Sequence, residues 1–149
     1  MNKEDMIPKE FVPYEQALAL EELGFDEPCL AWFSETKKLQ IAPETYKKWT
    51  GKPCNNSNII NIFNVDCITA PTFSQAFRWF RDKYNLDIDI SRNDQEMIDY
   101  VEREGGKYLP KYSYGYSNGT FIRIGTCMKY EEAELACLIK LIEIVKEKK

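Results

Sequence analysis

The chain has 149 residues, 44% hydrophobic and 13% aromatic, with a net charge of −4; that suits one domain burying its core without disulfides or metals, and argues against disorder. Histidine is absent, which removes the side chain that titrates unperturbed near neutrality and with it the usual general base. The acidic balance disfavours nucleic acid and anionic lipid, since the basic groups Lys37–Lys38, Lys47–Lys48 and Lys146, Lys148 and Lys149 are short and the last is interleaved with Glu143 and Glu147.

Residues 1–12 are charged, interrupted by Pro8, and read as a flexible N-terminal arm; no signal-peptide apolar region follows Met1-Asn2-Lys3-Glu4-Asp5. From Pro13, the helix formers of Tyr14–Leu23 run to Gly24, with Phe25 placed for the apolar contact of a Schellman cap. Residues 28–33 and 38–42 flank a polar turn at Ser34–Lys37 and predict a β-hairpin. A long surface loop is expected over 43–58, around Trp49, and a strand over Ile59–Val65.

The next helix is carried by a 3.6-residue stripe of Phe73, Ala76, Phe77, Phe80 and Tyr84, with Thr72 and Gln75 at capping-box spacing and Asn85 as a left-handed stop. Leu86–Ile90 alternates as a half-buried strand does. Asp94–Glu104 is ambiguous, because Met97, Ile98 and Val101 suit a helical turn but the run is short and ends at Gly105-Gly106. Tyr112–Tyr116 and Thr120–Ile124, joined through Ser117-Asn118-Gly119, predict a second hairpin in which Asn-Gly supplies the positive φ angles. The last helix, Tyr130–Lys146, has an apolar arc through Leu135, Leu138, Ile139, Ile142 and Val145, widened by Cys137, Leu141 and Ile144. That breadth suggests packing on a sheet and also on another helix or a second subunit.

The order of elements predicts an α+β fold: an antiparallel sheet of about four to six strands carrying two or three helices, in a single domain over 13–149. Cys29, Cys54, Cys67, Cys127 and Cys137 are odd in number and lack a C-x-x-C pair, as expected of buried thiols in a reducing compartment. No apolar run approaches the ~18 residues of a membrane span. A soluble, cytoplasmic protein without membrane contact is expected.

The stretches EFVPYEQALALEELGFDEPCLAWF (Glu10 to Phe33), ITAPTFSQAFRWFRDKYNL (Ile68 to Leu86) and YEEAELACLIKLIEIV (Tyr130 to Val145) resemble a group of uncharacterised small proteins common in phages and prophages of gut bacteria. The Thr-x-x-x-Ala start of a helix after a strand is also similar, loosely, to phage proteins described as α-β-α sandwiches. The resemblance covers a little under half the chain. It implies a phage-borne accessory gene expressed in a bacterial cytoplasm and carries no catalytic residue with it.

Candidate site residues come from the pattern itself. Tyr112, Tyr114 and Tyr116 alternate onto one sheet face, where they would either anchor a protein partner, stack bases, or simply cover the last helix. Trp49 is a second candidate anchor, its plainer role being a satellite cluster capping the sheet. Asp87 and Asp89 share one strand face, with Asp94 and Glu96 a turn away, and could offer oxygen ligands to Mg²⁺ or Ca²⁺, although solvated strand acids look the same. Pairing them with Glu102 or Glu104 and Lys107 would give a nuclease-like set.

The expectation is a non-enzymatic accessory protein, without cofactor, that binds a host or phage protein through the tyrosine face or the 43–58 loop. A homodimer contact is expected through the C-terminal helix. The alternatives are a small metal-dependent hydrolase using Asp87 and Asp89, and a weak single-stranded nucleic-acid binder using the tyrosine face.

Overall fold

The computed structural model describes residues 9–41, 55, 67–105 and 110–148. The expected strand at Ile59–Val65, Trp49 and most of its loop, Cys54, Lys107 and residues 1–8 of the expected arm lie outside them. The chain divides into two compact units, Met1–Ala76 and Phe77–Lys148. The fold is α+β with antiparallel strands throughout, and the six described strands form two sheets of three.

In the first unit, α1 (Tyr14–Glu22) starts where Ala17 N–H donates to Pro13 O at 2.9 Å. It ends in a Schellman cap: Gly24, at φ 96°, donates to Glu21 O and Phe25 N–H reaches back to Leu20 O, both at 2.9 Å. Strands β1 (Ala31–Phe33), β2 (Leu39–Ile41) and β3 (Ile68–Ala70) pair in the order β2-β1-β3, with Trp32 opposite both Gln40 and Thr69. All three residues of the central β1 are buried, and α1 packs on β3. The first hairpin closes through Ser34 N–H to Lys38 O (2.9 Å) and Lys37 N–H to Ser34 O (2.8 Å), which forces Lys37 into the left-handed region at φ 62°. Phe11 and Val12, at the end of the expected arm, join this unit: Phe11 bridges Thr72, and the fully buried Val12 donates its N–H to Pro71 O at 2.9 Å.

Helix α2 (Phe73–Tyr84) is capped by Thr72, whose Oγ1 accepts from Gln75 N–H at 3.2 Å. The reciprocal half of a capping box does not form, because the Gln75 amide instead donates to Pro28 O at 2.7 Å. Asn85 ends the helix at φ 54°, donating to Arg81 O.

In the second unit, β4 (Asp87–Arg92), β5 (Tyr112–Ser117) and β6 (Phe121–Cys127) form a sheet in the order β4-β5-β6. The ambiguous segment between β4 and β5 is a helix, α3 (Gln95–Arg103), capped by the Asp94 carboxylate accepting from Glu96 N–H at 2.7 Å and facing Ile98 inward. The second hairpin departs from the expected tight turn. Ser117 pairs with Phe121, so three residues turn the chain, and Gly119 alone takes a positive φ, 111°. Helix α4 (Tyr130–Glu147) packs chiefly on β5, with β6 and β4 beside it. Its buried stripe is Ala133, Cys137, Leu138, Leu141, Ile142 and Val145, and each large aliphatic side chain there contributes about 1.5–3 kcal/mol. Trp79, off the predicted stripe of α2, is buried too, its ring edge-on to Phe80 and Tyr84 with the Lys83 ammonium 5.0 Å above it. Among the described residues, no helix is long and apolar enough to cross a membrane.

Candidate functional site

Alternation along β5 places Tyr112, Tyr114 and Tyr116 on one face and Ser113 and Gly115, both buried, on the other. The register sets Tyr114 between Ile90 and Gly125, and Tyr116 between Ile88 and Ile122. Gly125 opens the space that Tyr114 fills: a Cβ there would lie 2.9 Å from the Tyr114 hydroxyl. Tyr112 meets Tyr130, the first residue of α4, edge-on at 5.8 Å. Burial first, then the neighbouring Cys127, Cys137 and Glu132, hold the Tyr114 phenol above its ordinary pKa. Cys137 and Glu132 belong to α4, so α4 lies across the tyrosine face. All three tyrosines are half-buried, and Tyr112 and Tyr114 form a wall packed between sheet and helix rather than an open ladder of rings.

The thiols are placed against reactivity. Cys137 is fully buried, its Sγ 3.7 Å from Gly115 O, and its pKa is pushed up to about 12 by burial above all, with the nearby Cys127 next. Cys127 is raised as well, again mainly by burial, and its Sγ donates to Lys129 O at 3.1 Å. The Tyr130 phenol moves the same way for the same leading cause. These shifts keep the Cys127 and Cys137 thiols and the Tyr114 and Tyr130 phenols protonated at neutral pH, the opposite of nucleophile activation.

Asp87 and Asp89 share a face of β4, as expected, and both are exposed. Each carboxylate is engaged locally: Asp87 Oδ1 accepts from Ile88 N–H at 2.8 Å, and Asp89 Oδ2 from the Ser91 hydroxyl at 2.7 Å. No group of three or more His, Cys, Asp or Glu side chains among the described residues is arranged to hold a metal ion. Trp49 lies outside those residues.

Neither family models, curated proteins nor solved structures match this chain.

The polar face of the second sheet holds what the sequence reading passed over. Arg123 Nη2 donates to Ser113 Oγ at 3.0 Å, Ser113 donates to Asn93 Oδ1 at 2.9 Å, and the Asn93 amide donates to Pro110 O at 2.5 Å. This chain runs from β6 through β5 to Asn93, one residue past β4, and fixes the guanidinium on the same face as the exposed Phe121 (49% exposed), with the exposed Ile122 (42%) on the opposite face. The available signal was Phe121-Ile122-Arg123-Ile124 itself, an apolar run that does not alternate and contains no acid. In the first unit, a cleft of about 320 Å³ is lined by Tyr14, Phe33, Ser34, Glu35 and Ile68. Lys37 partly claims its wall, the ammonium standing 5.1 Å over the Tyr14 ring.

Proposed function

We propose that this chain is a non-enzymatic accessory protein of phage type that acts in the bacterial cytoplasm by binding a host or phage protein. The observation that carries the reading is the exposure of two consecutive apolar residues, Phe121 and Ile122, on the two faces of β6, an outer strand of its sheet. An exposed Phe121 on the face of a fixed arginine has the composition of an interface centre, and the Cys127 and Cys137 thiols and the Tyr130 phenol are held protonated. The contact surface is thereby assigned to β6 in preference to the tyrosine row, in which Tyr112 and Tyr114 lie against α4. A homodimer through α4 has less to work with, since Ile139 and Tyr130 are the large apolar side chains exposed on that helix.

The test is retention of proteins from infected and uninfected bacterial lysates on the immobilised chain and on a Phe121→Ser/Ile122→Ser variant of unchanged circular dichroism. At least one protein held by the native chain and lost by the variant is expected, and it should rebind when purified. Identical retention by both refutes the reading. So does phosphodiester hydrolysis with Mg²⁺ or Mn²⁺ that disappears in Asp89→Asn.

A further inference from the structure

We propose that the outer edge of β6 accepts an extended segment of the partner as a fourth strand, with an acidic side chain of that segment paired to Arg123. This inference rests on the protein-binding reading above and names the mode and the chemistry of the partner.

The two edges of the sheet differ. In the order β4-β5-β6, each outer strand leaves a row of backbone N–H and C=O groups without a strand partner among the described residues, which is a template for a further strand unless charge, shortness or a bulge blunts it. Strand β4 carries Asp87, Asp89 and Arg92, all exposed, within six residues. Strand β6 carries a single charge, Arg123, in seven. Its one irregularity is the bulge at Ile124, since Tyr114 pairs with Gly125 and Gly115 with Arg123. A bulge re-aims the neighbouring side chain, and here that neighbour is the arginine.

Arg123 is held in place without a counter-ion among the described residues. Its Nη2 is fixed by Ser113, which is only 7% exposed, and Ser113 by Asn93; Asn93 N–H in turn bonds Lys111 O at 2.7 Å. No described carboxylate forms an ion pair with it, and Asp89, on the same face, is engaged by Ser91. A guanidinium has five donors in a planar fork that matches a carboxylate. One braced on a single donor, with its ordering entropy already spent, is prepared for an anion that arrives from outside.

The strand geometry then fixes the partner's pattern. Phe121 and Arg123 lie on one face and Ile122 on the other, so an added strand places its acid on the Arg123 face and an apolar residue on the Ile122 face. A second copy of β6 does not fit, because Phe121–Cys127 contains no acid and self-pairing leaves both guanidiniums unmatched. A second copy's β4 brings Asp89 but pairs head to tail, a heterologous contact that builds rings or filaments rather than a closed dimer.

The experiment selects a displayed library of random peptides on the full chain, then measures affinity by fluorescence anisotropy and amide hydrogen exchange with the enriched peptide bound. Enriched peptides are expected to carry an acid among β-branched residues and to protect the amides of Phe121–Cys127. Arg123→Glu should weaken binding about tenfold or more, Arg123→Gln should weaken it with circular dichroism unchanged, and replacing the peptide's acid by lysine should restore binding to Arg123→Glu. Absence of enrichment, enriched peptides without an acid, or affinity unmoved by either variant overturns the proposal. In those cases the broader reading stands or falls separately on the Phe121→Ser/Ile122→Ser retention test. Concentration-dependent assembly of the free chain that protects β6 overturns it in favour of self-pairing.

Discussion

Gly115→Ala tests the β5–β6 contact directly. Gly115 faces β6 at the bulge, and a Cβ there would land on the Ile122 carbonyl oxygen, 2.7 Å from Phe121 Cζ and 2.9 Å from Arg123 Cα. The exposed Phe121 ring could swing away, but the other two atoms are backbone and move only if the Tyr116–Ile122 and Gly115–Arg123 pairings open. Overpacking of this kind costs about 1–3 kcal/mol, and the immobility of the backbone puts this site at the upper end. Reduced freedom of the unfolded chain returns about 0.4–1 kcal/mol, leaving a net loss of roughly 2 kcal/mol, or about 4–8 °C in melting temperature for a chain of this size. Gly125→Ala is the internal control, because its Cβ would meet only the hydroxyl and ring tip of Tyr114, at 2.9 and 3.1 Å. That half-buried ring can tilt, so the loss should stay under about 1 kcal/mol. Urea unfolding followed by far-ultraviolet circular dichroism separates the two. Equal midpoints, or a smaller loss for Gly115→Ala, would refute the register that pairs Gly115 with Arg123 and sets the Ile122 carbonyl against it.

Two further predictions follow from groups outside that contact. Lys37 is left-handed at φ 62° in the first hairpin with its ammonium over Tyr14; Lys37→Val should destabilise by about 1–2 kcal/mol, while Lys37→Asn stays within about 0.5 kcal/mol, and equal thermal midpoints for the two would show that the turn does not need this conformation. Burial pushes the folded pKa of Cys137 up to about 12 from an ordinary 9.0, so the folded chain keeps its proton where the unfolded chain loses it: stability is flat below about pH 9 and falls between pH 9 and 12, by at most about 1.4 kcal/mol per pH unit. Unfolding free energies from pH 8 to 11 should fall less steeply in Cys137→Ala than in the native chain, and parallel slopes would contradict the burial of the thiol.

The parts of the fold legible from sequence are those where local chemistry and tertiary burial agree. Gly24 and Asn85 stop helices with positive φ because few residues do so cheaply, and Phe73, Ala76, Phe77 and Phe80 mark a buried face. Strand β3 was missed because Ile68-Thr69-Ala70 is too short for a period and owes its strand state to pairing with β1. Helix α3 was undecided because its apolar residues fill less than two turns; the Asp94 cap settles it, an interaction whose signature in sequence is one acid among many. The single expected sheet is two sheets, since alternation identifies a strand but not its neighbour.

The same limit governs the site. Period two put Tyr112, Tyr114 and Tyr116 on one face correctly, yet whether such a face is a platform or a wall depends on which helix crosses it. The apolar breadth of α4 held part of the answer: a helix with Cys137, Leu138, Leu141 and Ile142 buried needs a surface as wide as itself, and β5 with its neighbours supplies one. Once that face is taken, an interface on this sheet falls to its other face and its edges, where exposed apolar and charged residues depart from the burial pattern. Arg123 was visible in the sequence only as a lone basic residue in a strand. Its meaning comes from Ser113, ten residues away in the chain and 3.0 Å away in space. A buried hydroxyl that spends its contacts orienting an exposed guanidinium adds little to the core, and a surface arginine bound this way loses rotamer freedom that folding alone does not require. That ordering makes sense as preparation for a carboxylate from outside the chain.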